Sequence, residues 1–211
     1  MIIRCFAARW LCAGVLFGLA IASSGCMSYR TGTLPTAELH QPLSSSQEKP
    51  SAFFKVSCET RFFNETALHD NVAAAQHFRG LLAEVLKENA AFKSYTFTEK
   101  RGTNADMQIA LELQSEEKAV PFAVVLSGCS LGVIPVTGTE THSLITRVMD
   151  KSGKVVGSYE ATDSMRTWFH ILLLPFSPLK SPSRVQKELL ENLMRTSLAW
   201  MEKDGLLTFQ K

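Results

Sequence analysis

Residues 141–161, THSLITRVMDKSGKVVGSYEA, decide the fold of this chain. Two runs rich in β-branched and aromatic side chains, 141–149 and 154–161, flank the four residues DKSG at 150–153. Strand-like runs joined by a short turn that contains glycine predict a β-hairpin. We therefore expect two antiparallel strands joined by this turn.

Three earlier segments also predict strands. Residues 106–113, DMQIALEL, alternate strictly between apolar and polar side chains. That alternation is typical of a strand with one buried and one wet face, which antiparallel sheets allow. In residues 52–58, AFFKVSC, alternate apolar side chains share one face. Residues 95–98 are a further short candidate.

Two segments predict amphipathic helices. In residues 64–89 apolar side chains recur every three or four positions, and Asn64 is the expected N-cap. Ser181 as N-cap and Pro182 at the first helical position predict the start of the second helix. Gly205 is expected to end it.

The elements follow one another in the order β-α-β-β-β-β-α. One mostly antiparallel sheet with the two main helices on one face is the α+β arrangement that buries this pattern.

The chain has 211 residues, of which 45% are hydrophobic and 20% charged, so we expect a single domain over residues 51–211. Of its 22 basic and 20 acidic side chains, Arg4 and Arg9 lie in the first 25 residues, so the remainder is neutral. A neutral domain argues against nucleic acid as a partner.

The first 25 residues have the parts of an export signal. Two arginines make the start positive, residues 11–22 are an apolar stretch too short to span a bilayer, and small residues precede Cys26. This pattern resembles a bacterial lipoprotein signal, and the resemblance implies that Cys26 is acylated and becomes the mature N-terminus. A second match, LSGC at residues 126–129, lies deep inside the chain, where no processing is expected.

The residues around Cys26 refine that expectation. Ser23 departs from the lipoprotein pattern, in which leucine is usual, so cleavage after Ala22 to give a soluble periplasmic protein stays open, as does an uncleaved anchor. Met27, rather than aspartate, follows the cysteine, which implies the outer membrane, with the inner membrane as the alternative. Residues 26–50 are rich in Ser, Thr and Pro, so we expect the acylated cysteine to begin a flexible tether.

Two uncharged apolar stretches adjoin the hairpin. Residues 119–138 end where the hairpin begins, and residues 167–179 start just after it ends. Antiparallel strands bring these points to the same end, so we expect the stretches to lie side by side, opposite the 150–153 turn. They are either ordinary core over the sheet, an exposed patch that contacts the membrane or an envelope protein, or membrane-inserted segments of an oligomer. The candidate contact residues are Phe122, Val125, Leu126, Leu131, Ile134, Trp168, Phe169, Leu172, Leu173 and Phe176.

Residues 128–132, GCSLG, match the G-x-S-x-G elbow that presents a nucleophilic serine in many hydrolases. Residues 122–126 could form the strand that this elbow needs. The helix that should follow is missing, because residues 133–136 are β-branched and contain proline. Asp163 and His170 follow Ser130 in the Ser–Asp–His order, but the alternating β-α units of that fold are absent. We therefore predict no catalytic residue.

The histidines and cysteines give no metal-binding pattern. No H-x-x-x-H or C-x-x-C pair occurs, so neither a metal nor a cofactor is expected. The histidines are His40, His69, His77, His142 and His170. Once the leader is removed and Cys26 is acylated, Cys58 and Cys129 remain, and they either form a disulfide or stay as two buried thiols.

The order of these pieces resembles a group of uncharacterised proteobacterial lipoproteins. The segments that carry the resemblance are the leader up to Cys26, SGCSLGVIPVT at 127–137, DKSGKVVGSYEATDS at 150–164 and TWFHILLLPFSP at 167–178. The domain also looks like those of the curli secretion channel lipoprotein and of lipoprotein activators of penicillin-binding proteins, in topology alone. The resemblance implies no known activity.

We therefore expect an outer-membrane lipoprotein that faces the periplasm and acts by binding. It would be an accessory or assembly factor of an envelope complex, held to the membrane by its N-terminal acyl chains, with an envelope protein as partner. The alternatives are a membrane-inserting oligomer of secretion-channel type and an envelope enzyme whose site the sequence does not reveal.

Overall fold

The computed structural model describes residues 26–37, 49–62, 68–89, 91–97, 105–176 and 180–207. The strands are β1 Cys26–Arg30, β2 Ser51–Arg61, β3 His69–Asp70, β4 Ser94–Thr96, β5 Met107–Ala119, β6 Val136–Asp150 and β7 Val155–Phe169. The helices are α1 Val72–Asn89, α2 Pro121–Cys129 and α3 Pro182–Lys203, with a 3-10 helix over Ile171–Phe176. The expected signal peptide lies outside the described residues.

The strands form one sheet in the order β1-β7-β6-β5-β2-β3, with β4 also paired to β2. Neighbours are antiparallel except that β2 runs parallel to β5 and to β4. Helices α1 and α3 pack side by side on one face of this sheet. The predicted α+β class and mostly antiparallel sheet are therefore confirmed.

The hairpin forms as its sequence predicts. Strands β6 and β7 pair from Val136 opposite Phe169 to Met149 opposite Val155. In the turn, the Asp150 carboxylate accepts hydrogen bonds from the backbone N–H groups of Ser152 and Lys154 at 2.8 and 3.0 Å. Gly153 has a φ of +81°, a conformation that glycine adopts without steric cost.

The core lies between the sheet and its two helices. Over residues 107–113 of β5, every second side chain is buried in this core and those between are partly exposed, which confirms the predicted alternation. Large side chains that are almost completely buried there include Phe54, Ile109, Leu144, Phe78, Leu82, Leu189 and Leu193. Each such burial contributes about 1.5–3 kcal/mol relative to exposure.

Helix α1 begins later than the sequence predicts. The expected cap, Asn64, lies outside the described residues, and the helix starts at Val72 after Asn71. The Asn71 Oδ1 atom accepts a hydrogen bond from the Ala74 N–H at 2.9 Å, and the Asn71 N–H donates to the Cys58 carbonyl oxygen at 2.9 Å. This local cap, and the pairing of β3 with β2 just before it, outweigh the apolar periodicity further upstream.

Helix α3 starts and stops close to the predicted residues. It begins at Pro182, and Ser181 has the extended backbone of an N-cap without a side-chain hydrogen bond to the helix. Gly205 follows the last turn with a φ of +71°, as expected of a glycine that ends a helix.

The expected tether, residues 26–50, is corrected at its start. Cys26–Arg30 form β1, an edge strand paired with β7. The chain then crosses α3, where the Ala37 N–H donates to the Asn192 side-chain oxygen at 2.9 Å. The sequence did not predict this strand, because it pairs with residues 165–169, which lie far away in the chain. Residues 38–48 lie outside the described residues.

Candidate contact surface

The two apolar stretches lie side by side, as predicted. Strand β6 begins at Val136, opposite Phe169, the last residue of β7. The chain therefore enters β6 and leaves β7 at one end of the sheet, opposite the Asp150 turn. The stretches also touch directly, since the Ile171 N–H donates a hydrogen bond to the Gly132 carbonyl oxygen at 2.9 Å.

Helix α2 occupies the segment in which the sequence suggested a strand. Its apolar, β-branched residues favour a strand, but Pro121 stands at the start of the helix, where a fixed φ and a missing N–H are tolerated. That proline was the signal that could have revealed the helix. The helix, Pro121–Cys129, is nine residues long.

Two serine hydroxyls build the turn after α2. The Ser127 Oγ atom donates to the Ile134 carbonyl oxygen at 2.7 Å, and Ser127 is 1% exposed. The Ser130 Oγ atom donates to the Ser127 carbonyl oxygen and accepts from the Ile134 N–H, both at 3.0 Å. The order here is helix, turn, strand, which reverses the strand, turn and helix of a nucleophile elbow.

The other two residues of that hydrolase pattern take part in different contacts. Asp163 is 1% exposed and forms an ion pair with Arg30. The His170 Nδ1 atom accepts a hydrogen bond from the Leu172 N–H at 3.2 Å. The hydroxyl of Ser130 is engaged within its own turn, so these contacts do not link it to Asp163 or His170.

Most large apolar side chains at this end of the sheet face solvent. Of the sixteen exposed large hydrophobic residues in the described chain, eleven belong to these two stretches. We call these eleven the apolar end: Val120, Phe122, Val124, Val125, Leu126, Leu131, Val133, Ile134, Trp168, Ile171 and Leu172. Phe122 and Leu172 are the most open, at 71% and 72% exposure. The interpretation of the stretches as ordinary core is therefore wrong.

Three predicted contact residues differ from this pattern. Phe169 and Leu173 are only partly exposed. The Phe169 ring packs against Gly132, where a Cβ atom would lie 2.8 Å from Cε1 of the ring. Gly132 also has a φ of +79°, so this close approach requires glycine. The side chain of Phe176 lies outside the described residues.

Strand β1 brings Cys26 to the apolar end. Cys26 pairs with Phe169, and Met27 pairs with Trp168. The Trp168 indole N–H donates to the Tyr29 hydroxyl at 3.1 Å, which joins the two strands on the face away from the helices. The sequence did not predict this adjacency, because it placed Cys26 on a tether.

Polar contacts fix β1 in place. Ser28 is completely buried, its hydroxyl lies 2.7 Å from that of Thr167, and its N–H donates to the Lys180 carbonyl oxygen at 2.9 Å. Arg30 supplies the partner of the buried Asp163 carboxylate. The position of Cys26 is thus set by the folded sheet.

A polar cluster that the sequence did not reveal lies between β5 and β6, on the face of the sheet that the helices cover. The His142 Nδ1 atom lies 2.8 Å from the Ser115 hydroxyl, and its Nε2 atom lies 3.1 Å from a Glu140 carboxylate oxygen. Burial, and then the neighbouring Glu140, raise the pKa of Glu117. His142 is 1% exposed, so the cluster joins β5 to β6 within the interior.

A cleft of about 640 Å³ lies between residues 31–37 and α3, away from the apolar end. Its charged groups are already paired. Arg195 bonds to Glu88 at 2.7 Å and Glu188 to Arg184 at 3.0 Å. Each of these two lining side chains is therefore paired with a residue that does not line the cleft.

The three cysteines within the described residues, Cys26, Cys58 and Cys129, are free thiols. Cys58 is buried and Cys129 is exposed at the end of α2, so the proposed disulfide does not form and only one thiol is buried. Burial raises the pKa of Cys58 to about 11.

Within the described parts of the chain, no group of three His, Cys, Asp or Glu side chains could hold a metal ion. The helices described there include none that is long and apolar enough to cross a membrane.

No protein-family model matches the chain, and no curated protein matches it. Solved structures with a similar fold include the PelC dodecamer from Paraburkholderia phytofirmans, at 14% identity and a TM-score of 0.39, covering 82% of this chain and 96% of that one. A minor lipoprotein from Acinetobacter baumannii has 8% identity and a TM-score of 0.40, covering 76% and 97%. A Helicobacter pylori homologue of the neuraminyllactose-binding hemagglutinin has 10% identity and a TM-score of 0.39, covering 81% and 91%. These likenesses are too distant to assign a function.

Proposed function

We propose that this protein is a lipoprotein of the outer membrane, facing the periplasm and anchored through acyl chains on Cys26. It acts by binding, as an accessory or assembly factor of an envelope complex, and the apolar end is the surface that contacts the membrane or an envelope protein. The observation that carries the proposal is the pairing of Cys26 with Phe169 at that end of the sheet.

The exposure of the apolar end supports a role in binding. Soluble monomers seldom expose a contiguous apolar patch of this kind unless it meets a partner or a membrane. The patch is held in a defined shape by the Ile171–Gly132 hydrogen bond and the Ser127–Ile134 hydrogen bond, so it is ready to bind without refolding.

The proposal assigns no catalytic role. The hydroxyl of Ser130 is occupied by its own turn. His142 is buried, and Glu188 and Arg195 of the large cleft are already paired with Arg184 and Glu88.

A second candidate is an oligomer of the secretion-channel type. It is favoured by the open edge of β7, since within the described residues β1 pairs with this strand only over residues 165–169. Val155 and Val156 are exposed at the far end of β7. An uncovered strand edge can pair with a second copy of the chain.

Site-specific photo-crosslinking in cells tests the proposal. A photoreactive residue at Val125, in the apolar end, should form adducts with lipid or with one defined protein. The matched control at Lys151, in the exposed turn at the opposite end, should form few. Intact-mass measurement of the mature protein checks acylation of Cys26 in the same cells.

The outcomes separate the candidates. Adducts at Val125 that weaken in Cys26→Ala support an anchored binding protein. Adducts between two copies of the chain from Val156 support the oligomer instead. An unmodified Cys26, or equal yields at Val125 and Lys151, contradicts the proposed function.

A further inference from the structure

We propose that the apolar end rests on the phospholipid leaflet that holds the Cys26 acyl chains, so that the anchor and the protein surface bind the same membrane together. This inference rests on the proposed function, because it requires acylation of Cys26.

The first argument is the position of the anchor. Cys26 and Phe169 are direct partners in an antiparallel pair, which places their Cα atoms about 5 Å apart. Strand β1 is held by buried Ser28 and by the Arg30–Asp163 ion pair. The backbone of Cys26 therefore keeps a fixed position relative to the apolar end. Acyl chains at Cys26 therefore bring the apolar end to the membrane surface at a high effective concentration.

The second argument is the distribution of charge. Neither residues 119–139 nor residues 167–179 contain Asp, Glu, Lys or Arg. The charges that flank the two stretches are of both signs: Lys118, Arg166 and Lys180 are exposed, and Glu117 and Glu140 are partly exposed. An uncharged apolar patch that stops at charged residues matches the boundary between acyl chains and headgroups.

The third argument is the hydrogen bonding at the apolar end. Backbone polar groups that enter hydrocarbon need internal partners. The Gly132 carbonyl oxygen accepts from Ile171, and the Ile134 carbonyl oxygen accepts from Ser127. The Trp168 indole N–H also has a partner, the Tyr29 hydroxyl, in the manner of aromatic residues at membrane interfaces.

The length of α2 limits how deeply this helix can enter the bilayer. Nine residues of α-helix span about 14 Å, much less than a hydrocarbon core of about 30 Å. The helix can therefore enter the interface without crossing the membrane. The Asp150 turn, at the other end of the hairpin, then points away from the membrane.

Tryptophan fluorescence tests this inference, because the chain contains its own control. After leader removal the tryptophans are Trp168, in the apolar end, and Trp200, near the C-terminal end of α3, packed 6.2 Å from the Tyr159 ring. The Trp200→Phe variant reports on Trp168 alone, and Trp168→Phe reports on Trp200 alone. The acylated full-length mature variants are reconstituted in vesicles of phosphatidylethanolamine and phosphatidylglycerol, with and without brominated acyl chains.

Brominated lipid should quench most of the Trp168 emission and leave Trp200 unchanged. Adding Phe122→Asp and Leu172→Asp to the Trp200→Phe variant should remove the quenching. In the non-acylated Cys26→Ala protein, the same two substitutions should weaken vesicle binding by about tenfold or more. The reason is that two large apolar side chains that contact the lipid have been removed. Val155→Asp, at the opposite end of the hairpin, is the matched control and should change neither result.

Each contrary outcome has a distinct meaning. If acylated protein is membrane-bound but Trp168 is not quenched, the inference fails while the proposed function stands. If Trp168 is shielded from aqueous iodide without being quenched by brominated lipid, a protein or a second copy covers the apolar end, and the inference is overturned. If Cys26 carries no acyl chains, the proposed function itself fails.

Discussion

Gly132 and the Phe169 ring are packed so closely that a Cβ atom on Gly132 would lie 2.8 Å from Cε1 of the ring. Phe169 in turn faces Cys26 across the β1–β7 pairing. The loop after α2, the end of the hairpin and the proposed lipidation site therefore form one packed unit.

Gly132→Ala should disrupt that unit. The residue has a left-handed φ of +79°, which costs about 1–2 kcal/mol for alanine, and the new methyl group also meets the Phe169 ring. Gly128→Ala is the matched control, because nothing lies within 4 Å of its Cβ position and alanine is about 1 kcal/mol better in a helix. Urea unfolding of both variants measures the difference, and equal free energies of unfolding would contradict this packing.

Arg30→Met should destabilise the fold by about 3 kcal/mol, since it leaves the buried Asp163 carboxylate without a cationic partner. The control is Arg184→Met, which breaks the exposed Arg184–Glu188 pair and should cost less than about 0.5 kcal/mol. Chemical denaturation of the two variants provides the comparison. A similar small loss for both would mean that the pair does not hold β1 to the sheet.

Thiol labelling of the mature protein acylated at Cys26 should distinguish Cys58 from Cys129. The exposed Cys129 should react with maleimide within minutes at pH 8, whereas the pKa of Cys58, raised by burial to about 11, keeps that thiol protonated and slow. Cys129→Ser should abolish the fast phase. Two unreactive cysteines and a mass two hydrogens lower would instead reveal the disulfide that the structure lacks.

The Asp106 carboxylate should make stability depend on acid pH. Hydrogen bonds from Lys151, then from the Ser51 backbone N–H and hydroxyl, lower its pKa below the ordinary 3.8. A lowered pKa gives stability that is present above 3.8 and is lost as the pH falls towards the folded value. Asp106→Asn should therefore lower the melting temperature at pH 7 and have a smaller effect at pH 2. An equal effect at both pH values would show that the charge does not matter.

The sequence predicted the elements whose signals are local. The β6–β7 hairpin has its turn residues at 150–153, β5 has strict alternation, and α3 has Ser181 and Gly205 at its ends. The predicted proximity of the two apolar stretches followed from the hairpin alone.

Elements that depend on distant partners were missed. Strand β1 is only five residues long and mixes apolar and polar side chains, and its pairing with β7 joins residues far apart in the chain. Strand β3 delays the start of α1 because it pairs back onto β2. Helix α2 was missed because its β-branched residues favour a strand, although Pro121 marks its start. Exposure of the apolar end could not be derived from composition, which is the same for a core and for a surface patch.

Membrane fractionation with an alkaline wash tests most directly whether Cys26 and the apolar end act together. Wild-type protein should stay in the membrane after the wash. Cys26→Ala, exported by a leader that the ordinary signal peptidase cleaves, should bind membranes weakly and be released by the wash. Adding Phe122→Asp and Leu172→Asp to Cys26→Ala should leave the protein in the soluble fraction even before the alkaline wash. Retention of Cys26→Ala in the membrane after the wash would contradict the account. The apolar end would then insert deeply into the bilayer or bind an integral membrane protein tightly.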